Sequence, residues 1–259
     1  MNGSVKGLTS PRTGAGRAFV VGCGPSLQHT PMDLLIGETT FAMNRIHLRY
    51  DLWKWRPTHF IFVDFQTTLP IPMVMQEVRS HIEAGEEVYI DQFMREKTLK
   101  TLQSEKHQPD NVHFLKLCDK LGHIGGNYTS PKAPSEWHLP TYCKFASGLL
   151  VGMQIAVMLG YNPIYLIGCD LGYVEMDNDG PDPNHMHPEY VFRAKGVRSN
   201  IGMTAQYAEQ TNGKLSYGHQ IAYKSCKELG VQVFNAGVGG QLDVYPRVDL
   251  QEIVSQEAA

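Results

Sequence analysis

The chain has 259 residues, 42% of them hydrophobic, which suits one large domain with a sizeable core. Its formal net charge of −3, with 23 Lys and Arg scattered among 26 Asp and Glu, excludes the basic footprint of a nonspecific nucleic-acid binder. No run approaches the ~18 apolar residues of a membrane span, and the five cysteines show no CxxC spacing, so a reducing, cytoplasmic setting is expected.

In chain order, residues 1–17 (MNGSVKGLTSPRTGAGR) predict a flexible tail ahead of a single domain over 18–259. AFVVG (18–22) reads as a buried strand that runs into Gly22, Cys23, Gly24, Pro25 and Ser26. Glycines at such a turn let backbone N–H groups approach an anion, and proline suits a first helical position. The third glycine of the dinucleotide fingerprint is missing, so the turn either holds a nucleotide phosphate or is a tight βα connection that holds nothing. TTFAMN (39–44) is a second strand ending in Asn44, whose amide suits a base or ribose, or simply a turn. RYDLWKWRP (49–57) could touch a lipid surface as a peripheral contact; Trp53 and Trp55 packed under a loop is the plainer alternative. HFIFVD (59–64) is a third strand and presents Asp64 to a ribose hydroxyl, a metal or a turn.

A helix is expected over 71–85, a strand over EVYID (87–91), an irregular stretch over 118–142 and an apolar helix over 146–160. That second helix opens on Ser147 and Gly148, with Lys144 just ahead, so its free N–H groups could hold a phosphate. PIYLIGCD (163–170) delivers Asp170 to a strand's carboxyl end, positioned for a ligand, a metal or a cap. Residues 174–215 show no clear period and predict a lid-like irregular segment carrying His185 and His187. Either histidine could serve as a general base; a zinc site is weakly supported, since no further ligand stands at the usual spacing. His219, just ahead of a helix expected over 216–230, is the rival base, and VQVFNAG (231–237) is the last strand. The alternation predicts an α/β, Rossmann-like fold: a mostly parallel sheet with helices on both faces, plus the lid. Apolar helix surfaces suit a homo-oligomer.

Taken together, GCGPSL, MNRIHL, FASG and LGYNPIYLIGCDLGY resemble the bacterial sialyltransferases of glycosyltransferase family 42. LIGCDLGY and the histidine loop after it also resemble bacterial proteins grouped with the archaeal 6-hydroxymethylpterin diphosphokinases. The first resemblance implies a glycosyltransferase of polysaccharide biosynthesis that moves a sialic-acid-like sugar from a CMP-linked donor to a glycan hydroxyl, with no required cofactor. It implies that Gly22, Gly24, Pro25 and Ser26 line the nucleotide, with Cys23 where the family has asparagine, and that Asn44 binds the donor. Ser147 and Gly148 would hold the donor phosphate, with Lys144 in the place of a family arginine. His187 or His185 would be the base, and Tyr173 would assist the leaving phosphate. The second resemblance implies a Mg²⁺-dependent diphosphokinase using ATP, with Asp170 and Asp64 as metal ligands. A non-catalytic nucleotide-binding module is the third expectation.

Overall fold

The structure, a computed structural model, describes residues 15–63, 71–103, 107–117, 147–177, 180–190 and 203–256. The strands are β1 (Ala18–Val21), β2 (Thr40–Met43), β3 (His59–Phe62), β4 (Glu87–Asp91), β5 (Val112–Leu115), β6 (Ile164–Ile167) and β7 (Val233–Asn235). The helices are α1 (Ile71–Glu83), α2 (Arg95–Thr101), α3 (Gly148–Leu159), α4 (Ala205–Glu228) and α5 (Leu250–Ser255). All strand pairs are parallel, in the order β5-β4-β3-β2-β1-β6-β7. The chain steps outward from β1 to β5 and then returns to β1's other side. The switch point of this Rossmann-like α/β sheet therefore lies between β1 and β6, where such folds leave a crevice.

All four residues of β1, β2 and β6 are buried, because layers cover both faces of the sheet. Continuous apolar runs rather than alternation are the consequence. Aromatic pairs stack across neighbouring strands on both faces: Phe234 on Tyr165 (5.6 Å) and Tyr165 on Phe19 (5.2 Å) on one, Phe41 on His59 (4.2 Å) and Tyr89 on His113 (4.8 Å) on the other. α3 is buried from Gly148 through Met158, which explains why its sequence is apolar all round. Gly160, at φ 91°, ends it in the left-handed conformation.

The six expected strands all form. β5 was not expected: it is short, and His113 interrupts its apolar pattern, held by a 2.5 Å contact to Glu87. α4 begins at Ala205, where the Thr204 hydroxyl accepts from Tyr207 N–H, so the first turns of a helix stand in what 174–215 predicted to be irregular. Its opening AQYAEQTNGK carries too few apolar residues to show a period. The expected tail also ends early. Ala15 N–H donates to Gly160 O (3.3 Å), and Arg17 pairs with Glu38 (2.5 Å) and donates to Ile253 O (2.8 Å).

Trp55 is 1% exposed, and Trp53 packs edge-on against it. Arg56 lies 4.2 Å from the centre of the Tyr50 ring and donates to the carbonyls of Trp53 and Trp55. The stretch 49–57 thus turns its tryptophans inward, as the plainer alternative had it. Among the described residues no helix is long and apolar enough to cross a membrane.

A buried ionic chain ties α1 to the segment after β2. His47 Nδ1 lies 2.5 Å from Glu77 Oε1, and His81 Nε2 lies 3.3 Å from the same oxygen, as ion pairs rather than well-directed hydrogen bonds. His81 Nδ1 meets Glu86 Oε2 at 2.6 Å, while its ring stacks on Phe60 at 3.6 Å. Burial alone would lower the His81 pKa, but its two carboxylates outweigh burial and hold it raised. Its contribution to stability is therefore full below the unfolded value of ~6.5 and lost as pH rises through the higher folded value. Glu77→Gln is expected to lower unfolding stability by about 3 kcal/mol near pH 6, and by less as pH rises. Urea midpoints across that range measure this, and a loss that stays constant with pH contradicts it.

Candidate active site

The turn after β1 is built to meet the end of β6. Gly22 N–H donates to Ile167 O (2.8 Å) and Gly24 N–H to Gly168 O (2.9 Å). A Cβ on Gly22 would run into Gly168 O, and one on Gly24 would stand 2.6 Å from Asp170 Oδ2. Ser26 donates its N–H to Asp170 Oδ2 (2.6 Å) and its hydroxyl to Asp170 Oδ1 (2.5 Å). Leu27 N–H is taken by Gly24 O (3.2 Å). The glycines serve backbone-to-backbone approach, and the amides of Gly22, Gly24, Ser26 and Leu27 are already paired. Of the two readings of this turn, these bonds match the tight βα connection: Pro25 has no N–H to offer, and the Ser26 proton is committed.

Asp170 is 8% exposed, and both its oxygens accept from Ser26, so of the uses expected of it the geometry matches a cap: it braces the 3-10 helix Pro25–His29 against the end of β6. Cys23 is buried, with its thiol on Met43 O (3.3 Å); burial pushes its pKa up to about 12 against the pull of Tyr190 and Arg45. It is no nucleophile. Its carbonyl has a different role, receiving Met186 N–H at 2.9 Å.

That bond anchors residues 180–190, which settle over the carboxyl ends of β1 and β2. Arg49 donates to Met186 O, and Arg45 donates to Glu189 O (2.8 Å) and to Tyr190 O. Within the loop, the buried Asp182 accepts from Asn184 N–H through Oδ1 (2.8 Å) and meets His185 Nδ1 through Oδ2 (2.8 Å). A carboxylate accepts, so Nδ1 carries a proton, and in the neutral ring the lone pair lies on Nε2. Nε2 faces the Tyr173 hydroxyl at 3.4 Å, and the His185 ring stacks on Tyr190 at 3.9 Å. Tyr173 is itself fixed: the Asn212 side chain accepts from its N–H (2.7 Å) and donates to its C=O (2.8 Å). Asn184 does the same for Val174, at 2.8 and 3.0 Å.

The two other histidines differ from His185. His187 Nδ1 accepts Glu189 N–H (3.1 Å), which puts the proton of its neutral ring on Nε2. Burial and the nearby Arg49 lower its pKa, so the ring is neutral but presents a donor outward. His219 stands inside α4 rather than ahead of a helix. It is 5% exposed, lies 3.0 Å from the Tyr245 hydroxyl, and burial lowers its pKa to about 4. It is a core residue.

Beyond β2, Asn44 adopts φ 52°, a left-handed conformation that asparagine tolerates better than most residues. Its amide nitrogen would lie 3.8 Å from a Cβ on Gly148, so the side chain faces the start of α3. Ser147 caps α3 by accepting Leu149 N–H at 3.2 Å. Among the described residues, the buried Asn44 Oδ1 and Arg45 Nε have no hydrogen-bond partner. The structure thus gathers Cys23, Asn44, Ser147, Gly148, Tyr173, His185 and His187 about the β1, β2 and β6 ends. Asp64 and Lys144 lie outside the described residues. Arg45, Arg49, Asn184, Tyr190 and Asn212 were missed. The Asp-x-x-His spacing of DPNH was the one signal in the sequence.

These features define a class: a Rossmann-like α/β protein with an oriented histidine and a capped helix start at the carboxyl ends of its strands, where such folds bind ligands. No protein-family model and no curated protein matches the chain. Among solved structures it is similar to the sialyltransferase CstII from Campylobacter jejuni in complex with a substrate analogue, cytidine-5'-monophosphate, at 14% identity and TM-score 0.47, over 92% of this chain and 86% of that one. It is also similar to the sialyltransferase CST-II in complex with trisaccharide acceptor and CMP, at 13% identity and TM-score 0.46, over 90% and 85%.

Asp170→Asn turns an amide donor toward the Ser26 donors. It is expected to cost about 2 kcal/mol of stability with or without Mg²⁺. Chemical denaturation checks this; an unchanged midpoint with loss of Mg²⁺ binding would instead make Asp170 a metal ligand.

Acid tests the core histidine. The folded protein resists protonating His219, so its contribution is present above pH ~6.5 and is lost as pH falls toward 4. His219→Gln is expected to narrow the drop in stability between pH 7 and 4.5 by roughly 2 kcal/mol. Equal drops in the two proteins, read from urea midpoints, refute the assignment.

Proposed function

We propose that this protein is a glycosyltransferase that uses a nucleotide-activated, CMP-linked sugar and passes it to a glycan hydroxyl by direct displacement. The observation that carries the proposal is His185, held by Asp182 with its Nε2 lone pair directed at the Tyr173 hydroxyl in a crevice at the switch point. An imidazole fixed in this way is suited, in its neutral form, to take the proton of an attacking hydroxyl.

In the reaction, the acceptor oxygen forms a bond to the donor's anomeric carbon as the bond from that carbon to the phosphate oxygen breaks. The acceptor proton passes to His185 Nε2, and CMP leaves with the bonding pair. The phosphate is received at the start of α3, whose first amides and Ser147 hydroxyl favour growing negative charge. Ser147 Oγ accepts from Leu149, which leaves its own proton for that task. Asn44 and Arg45 supply the nucleoside end: each keeps a buried polar atom unpaired, at a cost of about 1–3 kcal/mol that a bound partner would recover.

No cofactor is needed for this chemistry. The diphosphokinase alternative assigns Mg²⁺ to Asp170 and Asp64, and the first of these is committed to Ser26. Polysaccharide biosynthesis, the sialic-acid-like identity of the sugar and a cytoplasmic location belong to this same reading.

The test is nucleotide release from CMP-linked sugars with a glycan acceptor, compared across variants. His185→Gln is expected to lower turnover at least ~100-fold, Asp182→Asn at least ~10-fold, and His187→Gln less than about 3-fold. Equal losses at His185 and His187, or none at His185, contradict the assignment.

A further inference from the structure

We propose that the cleft between α4 and residues 241–244 binds a neutral saccharide portion of the acceptor. The inference rests on the transferase reading for the role of that saccharide, but not for its binding.

The cleft holds about 710 Å³, within the ~300–1,000 Å³ range of small-molecule sites. One side is a single stripe of α4, with Gln220, Tyr223 and Lys224 at helical spacing. Opposite stand Gln241 and Asp243, with Leu171 among the lining residues. Leu171 is two residues from Tyr173, so at most about 7 Å of chain separates it from the tyrosine that faces His185. Asn212, one turn before the lining residue Ser216 on the same helix, grips Tyr173. A saccharide in the cleft could therefore extend a hydroxyl toward the histidine.

Charge balance selects the ligand class. Lys224 Nζ stands 3.8 Å from Glu228 Oε1, and Asp243 Oδ1 stands 3.3 Å from Arg247 Nη2. The Lys227 ammonium lies 5.5 Å from the centre of the Tyr223 ring. With a carboxylate beside one of its two lysines and a second carboxylate in its lining, the cleft does not concentrate positive field, so a phosphate or other anion gains little there. What it offers is a mixture: the amides of Gln220 and Gln241, carboxylate acceptors, and the flat or apolar surfaces of Tyr223 and Leu171. A sugar ring needs that combination, since its hydroxyls want paired donors and acceptors while its C–H face wants apolar contact.

Saturation-transfer NMR on the full chain tests the proposal, with neutral glucose and galactose trisaccharides as probes, sialyllactose as the acidic comparison, and low and high salt. At least one neutral trisaccharide is expected to receive saturation in both salts, with binding at least about tenfold weaker in the Gln220→Ala/Gln241→Ala double variant. Both residues are exposed, so the variant keeps the fold, which its melting temperature verifies. The proposal is overturned if no neutral trisaccharide is saturated, if the signal survives in the double variant, or if only sialyllactose binds and salt abolishes it. CMP binding to the same samples separates the two readings: its absence from the wild type counts against the transferase, whereas its retention in the double variant isolates the cleft.

Discussion

The site depends on one buried contact, the double hydrogen bond from Ser26 to the Asp170 carboxylate. A charged acceptor makes both bonds stronger than neutral ones, and they close the switch point by clamping the turn after β1 onto the end of β6. Gly22 and Gly24 exist for this closure, since a side chain at either would displace Gly168 or Asp170. Asp170 then joins a third segment through its carbonyl, which accepts Gln241 N–H at 2.6 Å. The histidine loop and the α4 cleft are both tied to this junction, through Cys23 O and through Gln241.

From the junction outward, the crevice is assembled largely through backbone carbonyls. Cys23 O, Met186 O, Glu189 O and Tyr190 O are each bound by an amide or by an arginine. Arginine suits that task because its planar fork can serve two carbonyls at once while its charge survives burial. Behind Arg45 and Arg49, His47 connects the short 3-10 helix Ile46–Arg49 to Glu77 and, through it, to His81 of α1. Paired asparagine amides at 184 and 212 imitate strand bonding along 173–174, so Tyr173 is held on rails while remaining beside the crevice.

Much of the fold was legible because buried parallel strands need continuous apolar runs, which AFVV, TFAM and IYLI supply. β5 and the opening of α4 escaped because a histidine or a polar run broke the period. The site was legible only as a neighbourhood. Asn44, Ser147, Tyr173 and the histidine loop do converge, but a sequence cannot say which ring nitrogen has a partner, and that alone separates His185 from His187. Nor can it tell a glycine that admits an anion from one that admits a neighbouring strand, so GCGPS left both readings open. Asp170 was open for a similar reason: whether an aspartate after an apolar strand caps or awaits a ligand shows only in what its oxygens accept.

The most direct test of the central claim is thermal stabilisation by CMP, CDP, UDP, GDP and ATP, each with and without Mg²⁺, since a ligand bound only by the native state raises the melting temperature. A nucleotide-sugar transferase with this crevice is expected to be stabilised by CMP or CDP in the absence of metal. Stabilisation by ATP alone, and only with Mg²⁺, would contradict the account and turn the same crevice into that of a diphosphokinase.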